Sequence, residues 1–141
     1  MTFLKRVFLD ANTLVSGLVF QGPEHELLKK SIRGGLELVT SEDVIAELAE
    51  VINRKFPGKA FLVRDFLKLS GIRLVMRPSY SKTIDRQKVR DPEDRHVLAA
   101  ALASGCRCIV SGDKDLLSLG TYKRMEIRTS KNVLRHGKQS E

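Results

Sequence analysis

Short runs of β character recur along this chain, each set off from the next by a segment with helical spacing. The runs are Arg6 to Leu9, Leu36 to Val39, Ile72 to Met76, Arg107 to Val110 and Glu126 to Arg128. Between them the pattern predicts helices over Glu24 to Arg33, Ser41 to about Phe56, Ala60 to Leu69, Asp91-Pro92 through Ala103, and Lys114 to Leu119. Gly22-Pro23 opens the first of these and Gly34-Gly35 closes it. Ser41 caps the second, Glu42 and Asp43 suit the positive end of its dipole, and Pro57-Gly58 stops it. Arg77 to Val89 carries Pro78, two serines and several charges and reads as a long loop. Strands that alternate with helices need right-handed crossovers, so their sheet is mainly parallel and covered on both faces. The expected fold is therefore α/β with a five-stranded, mainly parallel sheet.

A length of 141 residues suits one domain with a real core, over about residues 1–130. A last helical piece from Lys131 to Arg135 is expected to fray into a basic tail, residues 131–141. No apolar run approaches a membrane span, and the N-terminus lacks the apolar stretch of a signal peptide, so the expectation is a cytoplasmic chain with no membrane partner. The 25 Lys and Arg exceed the 17 Asp and Glu by eight, a balance that favours polyanions and nucleic acid above all. Cys106 and Cys108 alternate along a strand and point to opposite faces, so they read as buried small hydrophobes rather than a disulfide or a metal pair.

Ligands of open α/β sheets bind beyond the carboxyl ends of the strands. Asp10 follows the first strand and Asp113 the fourth, so both can face one edge. On the helix from Pro92, the residues Val97, Leu98, Ala101 and Leu102 form an apolar stripe; Asp94 falls near its middle and Glu93 well away. An inward carboxylate needs a partner or a metal. A capping box between Asp91 and Asp94 is an equally good account of it. Glu47 lies on the flank of the stripe formed by Val44, Ile45, Leu48, Val51 and Ile52, where a solvated acid is also ordinary.

Taken together, Asp10, Glu47, Asp94 and Asp113 can converge at one edge. Clustered carboxylates repel one another, and hard divalent cations such as Mg²⁺ or Mn²⁺ relieve this. Basic surroundings attract phosphates to the same place, which suggests metal-assisted phosphodiester hydrolysis. Phosphoryl transfer through an aspartyl intermediate is disfavoured, because Asn12 stands where a second acid would be wanted. His25, His96 and His136 lack metal-ligand spacing and read as solvated or structural.

Four segments carry a resemblance: FLDANTLVSGL from Phe8, LVTSEDVIAELAEVI from Leu38, DPEDRHVLAAALASG from Asp91 and IVSGDKDLL from Ile109. In this order and spacing the chain resembles the PIN-domain nucleases, specifically the small VapC-like toxins of prokaryotic type II toxin–antitoxin pairs. The resemblance places the family's acids at Asp10, Glu47, Asp94 and Asp113, as metal ligands and catalytic groups. Asn12 and Ser111 match supporting polar positions. Asp115 matches a further, less constant acid, and it equally suits the first turn of its helix. What the resemblance implies is a three-layer α/β/α PIN-like fold, Mg²⁺- or Mn²⁺-dependent cleavage of RNA, a homodimer and an antitoxin protein partner. A weakly active or non-catalytic RNA-binding module, and an RNA-processing nuclease without an antitoxin, are the alternatives.

Overall fold

The first apolar run becomes the centre of the sheet. The computed structural model describes residues 5–34, 36–77, 89 and 91–139; the expected loop at 78–88 and the end of the tail at 140–141 lie outside the described residues. The elements run β1 (Lys5–Leu9), α1 (Ala11–Val19), α2 (Pro23–Ile32), β2 (Leu36–Ser41), α3 (Glu42–Lys55), α4 (Phe61–Leu69), β3 (Arg73–Val75), α5 (Pro92–Ala103), β4 (Cys108–Val110), α6 (Lys114–Leu119), β5 (Thr121–Tyr122), β6 (Met125–Arg128) and α7 (Ser130–Gln139). The strand order is β3-β2-β1-β4-β6-β5. All neighbours are parallel except the β5–β6 pair.

Val7, Phe8 and Leu9 are fully buried, as are Val39, Ile109 and Val110 on the flanking strands. Continuous burial along these strands is what helices on both faces of a parallel sheet produce. Moving from β1 to β2 to β3 and then back past β1 to β4 reverses the direction of travel. Right-handed crossovers consequently place α1–α4 on one face and α5 on the other. The three-layer α/β/α arrangement expected from the sequence is thus present.

The sheet has six strands rather than five. The extra strand, β5, is only two residues long and too short to leave an alternating pattern. It forms because Lys123, at φ 56°, turns the chain back into β6, and Tyr122 and Met125 are buried as paired neighbours. Helix α1 is a second addition, since its segment ANTLVSGLV mixes β-branched residues with Ser and Gly and has low intrinsic helix preference. Tertiary packing overrides that preference: Ala11, Leu14 and Val15 bury one face, and Asp10 caps the helix. Helix α7 is the third. It continues to Gln139 where fraying into a tail was expected from Arg135, and Val133 docks it in the core. Among the described residues no helix is long and apolar enough to cross a membrane. Both cysteines are buried and free; β4 begins at Cys108, so Cys106 precedes the strand.

Candidate functional site

The reversal of direction between β1 and β4 is a topological switch point, the place where open α/β sheets leave a crevice at the strand carboxyl ends. Register puts specific side chains there. Leu9 pairs with Val110, so the next residues, Asp10 and Ser111, leave the sheet side by side. Ser111 Oγ donates a hydrogen bond to Asp10 Oδ2. The Thr13 N–H donates to Asp10 Oδ1 at 3.0 Å, which makes Asp10 the N-cap of α1 as well. Thr40 Oγ bonds the Leu9 carbonyl at 2.9 Å and Thr13 Oγ the Val110 carbonyl at 3.3 Å. The last backbone acceptors of both strands are therefore satisfied without water. Asp10 is 7% exposed and Ser111 1%.

Asp113 follows from the same turn. Its N–H donates to Ser111 Oγ at 3.0 Å, so one hydroxyl ties two acids together. Its Oδ1 accepts from the Asp115 and Leu116 N–H groups at 2.7 and 3.4 Å and caps α6. On α5 the cap is Asp91, which accepts from the Glu93 N–H at 2.9 Å. Asp94, only 8% exposed, offers a carboxylate oxygen to a group with Asp113 and Asp115 in which the ligand atoms all lie within 4.8 Å of one another. Burial pushes the Asp94 carboxyl up from its ordinary 3.8 to about 6, and the like charges of Asp113, Asp91, Asp115 and Asp10 add to the rise.

The expected residues thus divide. Asp94 and Asp113 come together, with Asp115 as the third member of the close group instead of a peripheral acid. Asp10 stands beside them, near enough to raise the Asp94 pKa, with each of its oxygens accepting one hydrogen bond. Asn12 is solvent-exposed in the first turn of α1. Glu47 is half-buried on α3 and faces Glu93 and His96 of α5 more closely than Asp10. Burial and the Glu93 carboxylate raise its pKa, and His96 opposes the rise.

Glu93 and His96 are what sequence reasoning missed. A helical wheel rightly set Glu93 off the apolar stripe of α5 but carried no information that α3 lies on that side. The i,i+3 spacing of Glu93 and His96 was the available signal; their side chains meet at 3.1 Å.

The donor set fits a hard divalent cation. It is all oxygen, it comes from one first-turn helical acid and two acids of a single cap, and it is electrostatically strained without a counterion. Asp94, Asp113 and Asp115 are the residues that would hold such an ion, with Asp10 adjoining.

A family model described as the PIN domain matches residues 6–115. The chain belongs to the PIN-domain family. Solved PIN structures agree on the fold. VapBC2 from Rickettsia felis, bound to a DNA fragment from its promoter, superposes with a TM-score of 0.63 at 14% identity, over 88% of this chain and 98% of that one. VapC20 from Mycobacterium tuberculosis, a Sarcin-Ricin loop cleaving toxin, superposes with a TM-score of 0.54 at 16% identity, over 83% and 97%. No curated protein sequence matches the chain significantly.

Proposed function

We propose that this PIN domain, taken as a single domain over residues 1–141, is a divalent-metal-dependent endoribonuclease and the cytoplasmic toxin of a toxin–antitoxin pair. The observation that carries the reading is the convergence of Asp94, Asp113 and Asp115 beside Asp10 at the sheet's switch point, with Asp94 raised to about 6 by burial and like charge. A site built only to bind phosphate gains nothing from carboxylates. A bound Mg²⁺ or Mn²⁺ would supply an activated water and would stabilise charge on the leaving oxygen.

The chain's own groups have separable tasks. Asp94, Asp113 and Asp115 hold the ion. Ser111 fixes Asp10 and the Asp113 backbone through one hydroxyl, so the two strand ends keep a constant spacing. Glu47, half-buried with a raised pKa, is suited to ligate the ion or to orient the attacking water. Asn12, exposed beside Asp10, can hydrogen bond a phosphate oxygen. The excess of eight positive charges supports a polyanionic substrate. The likeness to VapBC2 and VapC20 supports structured RNA as that substrate, an antitoxin protein as partner and a homodimer as the working form.

Cleavage of a labelled RNA panel with Mn²⁺ tests the proposal, comparing wild type with Asp10→Asn and Asp94→Asn. Metal-dependent cleavage by the wild type, lost in both variants, is expected. Equal binding by all three proteins with no metal-dependent cleavage by any would refute it.

A further inference from the structure

At the carboxyl edge of the sheet, α3 and α5 bring two acids face to face. Glu47 and Glu93 lie within hydrogen-bonding reach of each other across the two helices. Glu93 is a long side chain, 67% exposed. Left to itself it would sample several rotamers and swing away from a like charge. It is held instead: His96 Nε2 lies 3.1 Å from Glu93 Oε2, one helical turn on. With a carboxylate as acceptor, the ring proton sits on Nε2. Nδ1 is buried with no hydrogen-bond partner among the described residues. That pattern suits a singly protonated ring, because an imidazolium would leave a buried N–H unsatisfied. The ring is also close enough to Glu47 to favour its charged form against Glu93.

We propose that His96 is a positioning residue for Glu47 and acts through Glu93. The imidazole pins Glu93, and pinned Glu93 keeps the Glu47 carboxyl turned toward the edge where Asp10 stands. This rests on the metal-centre reading given above, since Glu47 matters there only if the acids serve a common ion.

The test measures Mn²⁺ affinity from the electron paramagnetic resonance signal of the free ion, with the melting temperature of the metal-free protein alongside. Variants are His96→Ala, His96→Gln, Glu93→Ala and Asp94→Asn. Loss of an outer hydrogen-bonding partner typically weakens a metal site about 10-fold or more. His96→Ala and Glu93→Ala are expected to weaken Mn²⁺ binding by about that factor without a matching fall in melting temperature. His96→Gln, which keeps a donor for Glu93, is expected to recover most of the loss. Wild-type affinity in either alanine variant, or a glutamine variant as weak as alanine, overturns the role given to His96. Should Asp94→Asn also bind Mn²⁺ like wild type, the metal-centre reading falls and takes this proposal with it. A weakened Asp94→Asn beside an unaffected His96→Ala overturns the His96 proposal alone.

Discussion

The acid group should make the metal-free protein lose stability as pH rises, and Asp94→Asn should remove that loss. Asp94 has an ordinary pKa of 3.8 that the native state raises to about 6. Between those values the native protein holds a proton that the unfolded chain has already released. Stability therefore falls as pH rises through this window and levels off above it. At about 1.4 kcal/mol per tenfold change in proton affinity, the ceiling on the loss is roughly 3 kcal/mol. Asp94 is only 8% exposed, so solvent screening removes little of this, whereas relaxation of the neighbouring acids removes some, leaving about 1–3 kcal/mol. Asparagine has nearly the shape of the protonated acid and does not titrate. In urea denaturation with a chelator present, the two proteins should match near about pH 4, and the variant should be the more stable near about pH 8. Other titrating acids, Glu47 included, are common to both proteins and cancel in the difference. Saturating Mn²⁺ should then reverse the order at high pH, because only the wild type gains the linkage energy, about 2.7 kcal/mol at a hundredfold excess over Kd. A variant-minus-wild-type difference that is constant with pH, or that favours the wild type in chelator at high pH, would refute the reasoning.

Ser111→Ala should cost about 2 kcal/mol in urea denaturation, because it strips one hydrogen bond from the Asp10 carboxylate and leaves the Asp113 N–H without its acceptor. Ser111→Thr keeps the hydroxyl and should recover part of that loss; equal losses in both would show that the hydroxyl is not the cause. Gly17→Ala sets two effects against each other. Alanine gains up to about 1 kcal/mol of helix preference, but its Cβ would lie 2.6 Å from Leu28 Cδ1 and 3.1 Å from the Glu24 carbonyl, where α1 packs on α2. Leu28 is buried and the carbonyl cannot rotate away, so overpacking of about 1–3 kcal/mol should win. A raised melting temperature for Gly17→Ala would contradict this.

Strand number and helix length were the less legible parts of the fold, and each for a physical reason. The parallel core could be read because β1 and β4 are buried on both faces, and burial on both faces demands continuous apolar residues. A two-residue strand such as β5 has no period to detect. Helix α1 depends on contacts with α2, α3 and the Asp10 cap rather than on its own composition, so the evidence for it lies outside its segment. The continuation of α7 past Arg135 is similarly a tertiary effect, with Val133 docking the helix beside α2.

At the site, the sequence left open whether Asp10 and Asp94 cap helices or serve chemistry, and the structure shows why those choices are not parallel. Asp10 does both, because a carboxylate has two oxygens and the register of β1 on β4 turns one to Thr13 and the other to Ser111. Asp113 likewise caps α6 while joining the acid group. For α5 the work is divided: Asp91 takes the cap, and Asp94, three residues on, faces the other acids from a buried position. Capping and clustering favour the same places, since a helix that begins just after a strand end brings both its N-terminal N–H groups and its first-turn acids to the sheet's carboxyl edge. The N–H groups stabilise carboxylates there one at a time; they do little for the repulsion between them. Asp94 carries that unrelieved repulsion, which is why its pKa, rather than that of either capping acid, registers the need for a cation.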